Sequence, residues 1–452
     1  MYFNIHNHSE YSNALLGFPD VVARLPDLIQ RAYDLGLNGI AITEHEGISS
    51  HIKALNYYNS MKKDRPFTLG LGNEIYLMDE ADDIANRENG ENNPYYHFIL
   101  MALDTEGHKQ LRELSTRAWL RGYKKNIWRR PTYYSDLEEI VGNNQGHIIA
   151  STACLGSKID KLLLEDKWEE AFDEGGELDR LINIFGQGNI YLEIQPAKEE
   201  GTKQSIVNRL MWKGNTFRDI KIIPSTDSHY LSKDTAFLHK VYLQSQEGER
   251  EVDEFYATAY LMDGNELRDY LKIDFTDEQI DQMYQWSNEI PLRIKDYDIK
   301  HKPIIPEIPI DKLPSFTVNH WFKDWYEKYP NFAYYSSSEL SINEQYFFYK
   351  VEEGLKNKIA DKDKNIEQYI ARLDEEWKEL RIISKELDTK MACYYSTMSK
   401  IIDLIWETGS LAMPARGSAA GFLTCYLLEI TQIDPVPLGD YMPSWRHLKN
   451  FI

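Results

Sequence analysis

Tyr2-Phe-Asn-Ile-His6-Asn-His8 and Gly39-Ile-Ala-Ile-Thr-Glu-His45 have the same layout: a short, apolar, β-rich run that ends in imidazole. A third run, Lys221-Ile-Ile-Pro-Ser-Thr-Asp227-Ser-His229, ends in a carboxylate and an imidazole. Side chains two apart on an extended segment point the same way, so His6 shares a face with His8, and Asp227 with His229. Working outward, apolar runs at 2–5, 39–43, 68–77, 97–103, 147–151, 189–195 and 221–225 read as strands. Helical periodicity fills the intervals, as at 20–35, where Val21, Leu25, Leu28, Ile29 and Ala32 fall on one face. Ser135-Asp-Leu-Glu138 and Asp166-Lys-Trp-Glu169 read as capping boxes. Strand–helix alternation repeated about seven times predicts an α/β fold with a parallel sheet, closed as a barrel.

The chemistry-bearing residues follow the strands. His6 and His8 follow the first, His45 the second, Cys154 the fifth, Asp227 and His229 the last, while Glu74 and His97 sit at apolar runs. Barrels of this kind place their active sites at the C-terminal rim, so residues scattered in sequence would converge there. Imidazole, carboxylate and thiolate bind borderline transition metals, which points to hydrolytic chemistry. Each signal is weak alone. Twelve histidines make an H-x-H by chance, a cysteine such as Cys154 is more often a small buried apolar residue, and His97 has the bland reading of a satisfied core histidine. The strand-end placement of both pairs raises the whole set, and Glu74 as a ligand could bridge two cations. His51, His108, His147, His239, His301, His320 and His447 read as structural.

The 452 residues suffice for more than one domain, and 42% apolar with 13% aromatic residues supports large cores. Cys154, Cys393 and Cys425 are too few and too distant for a disulfide framework, which fits a reducing cytoplasm. No basic segment followed by an apolar one marks the N-terminus as a secretory signal. A net charge of −21 argues against binding nucleic acid through bulk electrostatics, though a local basic groove remains open. Arg121-Gly-Tyr-Lys-Lys-Asn-Ile-Trp-Arg129-Arg130 interleaves basic and aromatic residues as single-strand binding would need; alone, it reads as a solvated loop.

Residues 240–300 read as helical and acidic, and four prolines within 303–314 then mark an extended connector. Residues 340–408 are again helical. Pro414-Ala-Arg-Gly-Ser-Ala-Ala-Gly421 precedes an apolar run at 422–430. A small-residue loop feeding a helix N-terminus can offer amides to a phosphate; by spacing alone it reads as a packing corner between helices.

His6-Asn-His8-Ser-Glu-Tyr-Ser12, Ile42-Thr-Glu-His45, Gly72-Asn-Glu74-Ile-Tyr, His97-Phe-Ile-Leu, Ser151-Thr-Ala-Cys154, Tyr191-Leu-Glu-Ile-Gln195 and Thr226-Asp-Ser-His229-Tyr-Leu together resemble the PHP (polymerase and histidinol phosphatase) domain, in particular the one at the N-terminus of bacterial DNA polymerase III alpha subunits. The run from Pro414 to Pro435 is similar to that family's palm, where a Gly-Arg-Gly-Ser loop contacts the phosphates of the incoming nucleotide; here Ala415 replaces the first glycine. Met442-Pro-Ser-Trp-Arg-His-Leu448 is similar to its phage and Firmicutes branch.

The resemblance implies a distorted (β/α)7-type PHP barrel over 1–285, a Pro-rich connector over 286–315, and the incomplete N-terminal part of a nucleotidyltransferase-like palm, with a mostly helical region, over 316–452. It implies nine metal ligands: His6, His8, Asp20, His45, Glu74, His97, Cys154, Asp227 and His229, with His6, His8, Asp227 and His229 at the catalytic core. Asp20 is matched through its spacing to Asp27-Leu-Ile, and Glu44 stands beside the ligand set. Arg416, Gly417 and Ser418 would hold nucleotide phosphates. The family's polymerase aspartates lie beyond the Trp-Arg-His segment, so the expected protein is the N-terminal piece of a split or truncated replicative polymerase. Its barrel would be a metal-dependent 3′–5′ exonuclease using two or three Mn2+, Zn2+ or Fe2+ ions, with Arg129 and Arg130 as candidates to hold the backbone phosphate. Mg2+ would serve polymerisation only in the assembled enzyme. The implied partners are a DNA primer-template, deoxynucleoside triphosphates and a downstream polypeptide carrying the aspartates, in the cytoplasm of a bacterial or phage-infected cell. The alternatives are a free-standing phosphatase for a small phosphate ester and a non-catalytic scaffold for polymerase assembly.

Overall fold

The computed structural model describes all residues except 17–19, 90–94, 126–129, 246–255, 302–303, 311–320, 361–364, 415–416 and 444–452. The described residues divide into two compact units, Met1–Lys300 and His301–Ile452.

In the first unit eight strands form one sheet: β1 (Phe3–Asn4), β2 (Gly39–His45), β3 (Thr68–Met78), β4 (Tyr96–Ala102), β5 (Pro131–Tyr133), β6 (Ile148–Ser151), β7 (Ile190–Ile194) and β8 (Ile222–Pro224). Their order is β1-β2-β3-β4-β6-β7-β8, and β5 pairs with β3. The two ends meet through a parallel bridge between Asn7 and Ser228, in which His8 N donates to Ser228 O at 3.0 Å. The sheet is therefore nearly closed, as the alternation of strands and helices predicts. It is not wholly parallel: β4 runs antiparallel to both β3 and β6. The chain leaves β3 and re-enters β4 at the same rim, without a crossover, and such a return makes neighbouring strands antiparallel. β5 was not expected from sequence. It exists because β3 outruns β2, leaving Tyr76–Met78 to pair with Pro131–Tyr133.

Alternation along the strands sorts the apolar residues into two layers. Phe3, Ile5, Ala41, Ile99, Met101, Ile149, Tyr191 and Ile223 form one cluster, joined by Ile290 of the helix Asp277–Arg293. Their neighbours Ile40, Ile42, Leu100, Ile148, Leu192 and Ile222 belong to the larger cluster shared with the helices. Each fully buried side chain of this kind contributes about 1.5–3 kcal/mol, so the barrel is a packed core rather than a pore. The helix expected over 20–35 begins only at Leu25, with proline in its first turn, because Asp20 is drawn into the barrel rim. The capping boxes expected at Ser135 and Asp166 do not form there. Tyr133 opens the helix Tyr134–Leu137, with its amide donating to Asp136, and Lys167 precedes Trp168–Phe172 without a side-chain cap.

The second unit packs around Trp377 of the helix Ile366–Glu386, whose ring meets those of Phe332, Tyr335, Phe347 and Phe348. Beside it Glu376 is fully buried, accepting from Leu423 N, Thr424 N and Thr424 Oγ1 at 2.7, 3.0 and 2.9 Å and from Arg372 Nε at 3.0 Å. No described helix is long and apolar enough to cross a membrane.

Behind β3, His51 Nε2 donates to Gly72 O at 2.8 Å, so its Nδ1, 3.1 Å from His108 Nε2, is the acceptor in that pair. Both rings are buried as neutral species; burial and the neighbouring His108 pull the His51 pKa down to about 3. Below pH 6.5 the unfolded chain takes up a proton that the folded chain refuses, so stability falls as pH drops from 6.5 towards 3, by about 1.4 kcal/mol per pH unit. Urea unfolding at pH 6.5 and 4.5 should show a steeper loss in the wild type than in His51→Gln, by up to about 3 kcal/mol. Equal pH slopes would contradict this account.

Candidate metal centre

At the rim the strand ends bring all nine sequence-predicted residues into one connected cluster. Asn7 shows how the first dyad is aimed: its side chain turns away, bonding to Asn4 and Ala41 O, which leaves His6 and His8 on the opposite face. Glu74, in register opposite His45, lies at the centre. One of its oxygens, Oε2, is 3.3 Å from His6 Nε2, 3.0 Å from His8 Nε2 and 2.9 Å from His45 Nδ1; the other contacts His97 Nδ1. Asp227 Oδ1 lies 3.1 Å from both His6 Nε2 and His8 Nε2, and 3.4 Å from His229 Nδ1. Asp20 Oδ2 is 3.3 Å from His45 Nε2 and 3.5 Å from His229 Nε2. Cys154 Sγ is 3.6 Å from His97 Nδ1.

His97 explains why β4 must run antiparallel. It stands at the start of its strand, and in a parallel strand that position would face the far end of the barrel. The reversal pairs His97 with Tyr76, two residues beyond Glu74, and so delivers it to the common rim. Gly156 leaves it room, since a Cβ there would meet the His97 ring at 2.8 Å. With 28% of its side chain exposed, His97 marks the solvent side of an otherwise buried cluster.

The donor atoms form three overlapping groups whose members lie within 4.8 Å of one another: His8, His45 and His229; His6, His8 and Glu74; Glu74, His97 and Cys154. Buried polar atoms are normally hydrogen-bonded. Here His8 Nε2, both nitrogens of His45, Glu74 Oε1 and Asp227 Oδ1 are buried without a hydrogen bond, close to partners but not aligned with them. Unsatisfied nitrogen and oxygen atoms converging with a thiol are the donor set of a borderline divalent cation. The residues fit such a group.

Electrostatics agree. Burial lowers the His6 pKa, but Asp227 and Glu193 overcome it and hold the imidazole well above its usual range. Burial likewise opposes charge on His45, yet Glu74 and Asp20 raise it to about 10. Burial would raise Glu74, and His97 and His45 drive it well below the carboxylate range instead. The Cys154 thiol is pushed up by burial and by Asp227 and Glu74. The raised imidazoles of His6 and His45 thus lie against carboxylates held in their charged form.

The supporting residues were only partly foreseen. Glu44 accepts from Ser9 N and Ser12 Oγ at 2.9 and 2.6 Å, and Ser12 Oγ lies 3.3 Å from His8 Nδ1. Glu193 accepts from His6 Nδ1 at 2.8 Å and from the hydroxyls of Ser151 and Ser225; a carboxylate inside the apolar strand Ile190–Ile194 was its sequence signal. His239, read as structural, donates to Asp20 O at 2.8 Å, and Tyr256 OH donates to Asp20 Oδ1 at 2.9 Å. Arg130 lies with its guanidinium 4.7 Å from the Trp119 ring centroid and its amide 2.6 Å from Glu46 Oε1, beside His45. Arg121 is committed to Asp136 and to the Tyr133 ring. Arg129 and Arg416 lie outside the described residues, as do His320 and His447.

In the second unit Gly417 adopts φ +62° and opens the turn Gly417–Gly421, which contains Ser418. The amides of Leu423 and Thr424, at the start of the following helix, are taken by Glu376. Both of these amides are therefore already hydrogen-bonded within the unit.

Residues 4–197 match the PHP domain, and residues 345–450 match the bacterial DNA polymerase III alpha NTPase domain. Probable DNA polymerase YorL of Bacillus subtilis strain 168 and the DNA-directed DNA polymerase of Bacillus phage SPbeta are each 35% identical over 472 residues, covering 98% of this chain and 35% of the relative. The DNA polymerase III subunit alpha of Helicobacter pylori strain 26695 is 26% identical, over 96% of this chain and 33% of its own length. The chain thus spans about a third of the length of these curated relatives. In the order of its two matched domains, and along nearly its whole length, the chain is similar to proteins of the DNA polymerase III alpha family.

Proposed function

We propose that the first unit is a metal-dependent phosphoesterase that removes nucleotides from DNA 3′ ends, and that the second contributes a nucleotide-phosphate loop, Arg416, Gly417 and Ser418, to DNA synthesis. In this reading the hydrolytic domain, expected over 1–285, takes in the rest of the first unit to Lys300, since Ile290 packs in the barrel cluster; the connector of the expected 286–315 then lies beyond it, and 316–452 is part of the palm. Synthesis also needs the aspartates that hold Mg2+, supplied by further chain or by a second polypeptide, and the work is done on a primer-template in the cytoplasm. The observation that carries the hydrolytic reading is the convergence of nine ligand-type side chains, with donor atoms of His8, His45, Glu74 and Asp227 buried without a hydrogen bond.

Two or three divalent cations, Mn2+, Zn2+ or Fe2+, would supply Lewis acidity and a nucleophile at neutral pH when bound. His6, His8, Asp227 and His229 would form the core that holds them, with Asp20, His45, Glu74, His97 and Cys154 completing the set. Glu193 fixes the ring of His6, and Glu44 acts through Ser12 on His8. His97 faces the side from which a strand end would enter. Arg130, whose guanidinium lies against the Trp119 ring and whose amide donates to Glu46, would be the candidate to hold the phosphate.

The chain with Mn2+, offered 3′-labelled single-stranded and primer-template DNA, should release nucleotides, and His6→Ala/His8→Ala should lose at least about a hundredfold in rate. Absence of metal-dependent release would overturn the exonuclease reading; hydrolysis of p-nitrophenyl phosphate but not of DNA would favour the small-ester phosphatase. Arg130→Ala should raise KM roughly tenfold with little change in kcat, as expected for a lost charged contact to the ground state. An effect confined to kcat would place Arg130 elsewhere in the mechanism.

Because His6, His45 and His229 hold protons above their usual pKa, a cation must displace them, so binding should release protons at pH 7 and weaken as pH falls. Calorimetry in two buffers of different ionisation enthalpy measures this directly. Identical apparent enthalpies would rule the proton release out. Glu193→Gln should weaken the metal about 10–100-fold.

A further inference from the structure

The second unit contains a cleft of about 530 Å3 lined by Asn331, Tyr334, Glu344, Lys378, Arg381 and Lys385, among others. The three cations come from one helix, Ile366–Glu386. Their spacing of three and then four residues places them on one face, over roughly 10 Å of helix axis. In a chain with 72 acidic and 51 basic residues, cations are ordinarily paired. Among the described residues Lys378, Arg381 and Lys385 make no ion pair, and all three are exposed. Glu344 is the one carboxylate among the lining residues, and it is occupied in capping Ser341 through its amide and hydroxyl.

Arg381 is preorganised. Asp374 accepts from the amide and the side chain of Asn331 at 2.7 and 3.0 Å, which fixes Asn331 Oδ1 towards Arg381 Nη1 at 2.9 Å. The guanidinium then lies 4.0 Å from the Tyr334 ring centroid. A guanidinium held over an aromatic ring keeps N–H groups for a phosphate, and the pair offers a surface on which a base can rest. Tyr334 is 39% exposed beside it.

The geometry points to this cleft as a binding site for the phosphates of a single-stranded nucleic acid, separate from the metal cluster and from the Gly417 turn. The site does not depend on the hydrolytic reading of the first unit. A row of cations beside an aromatic platform suits a strand better than a lone anion, because the charges are spread along the helix rather than gathered at a point.

Fluorescence anisotropy of a labelled 15-mer of thymidylate with the full chain, in EDTA to exclude hydrolysis, tests it. Lys378→Ala/Arg381→Ala/Lys385→Ala should weaken binding at least tenfold. It should also reduce the slope of log Kd against log salt by about 2, at roughly 0.7 per lost phosphate contact on a single strand. Lys62→Ala/Lys109→Ala/Lys203→Ala, on the first unit, should change neither, and circular dichroism should show both triple variants folded. Unchanged binding in the cleft variant would overturn the proposal. So would binding of dTTP or pyrophosphate as tight as that of the oligonucleotide and lost in the same variant, which would make the cleft a nucleotide site.

Discussion

One buried carboxylate governs the first unit. Glu74 stands in contact with four imidazoles, those of His6, His8, His45 and His97, at the centre of a largely buried cluster. Removing a carboxylate from water costs several kcal/mol, and removing one partner of a buried ion pair costs about 3–5 kcal/mol. Such a group is tolerated only where opposite charge is delivered to it from every side. That requirement sets the topology: β1 and β2 must end at one rim, β4 must reverse to bring His97 there, and the Asn7–Ser228 bridge must close the ring so that Asp227 faces His6 and His8.

The rim is held by backbone as well as by charge. Thr43 N donates to Asn7 O, Glu46 N to Glu74 O, Val22 N to His229 O, and His97 N to Gly156 O, so each ligand-bearing segment is tied to another. Three of these loops contain a non-glycine residue with positive φ: Glu46, Ala153 and Asp227. Such conformations cost of order 1–3 kcal/mol and persist where surrounding structure enforces them, commonly at functional sites. The second unit offers the opposite case. Glu376 is equally buried, yet its oxygens are satisfied by two amides, a hydroxyl and Arg372. A buried carboxylate whose partners are amides and a hydroxyl is architecture; one ringed by imidazoles, some of their nitrogens without a hydrogen bond, has the donor set that suits a cation.

Much of this was legible in the chain. The parity of His6-x-His8 and Asp227-x-His229 gave the shared face, and strand-end placement gave the convergence. The hydrophobic periods located seven of the eight strands described, since both follow from local chain geometry. What depends on pairing was hidden. The reversal of β4 and the existence of β5 rest on which strand lies beside β3, and no single segment encodes that. Glu193 interrupts the apolar run Ile190–Ile194, but only folding sets it beside the ring of His6, and Asp20 lies outside its expected helix, drawn to the rim beside His45 and His229. The displaced caps at Tyr133 and Lys167 show the same limit: capping residues compete locally, and tertiary packing decides by a residue or two.

The claim on which all else rests is that the Glu74 cluster is a cation site. Metal analysis by inductively coupled plasma mass spectrometry, on the chain reconstituted with Mn2+ or Zn2+ and freed of excess ion, addresses it most directly. The account predicts two or three ions per chain in the wild type, and a loss of at least one in a folded Glu74→Gln variant. No bound ion in the wild type, or a metal content unchanged by Glu74→Gln, would contradict it.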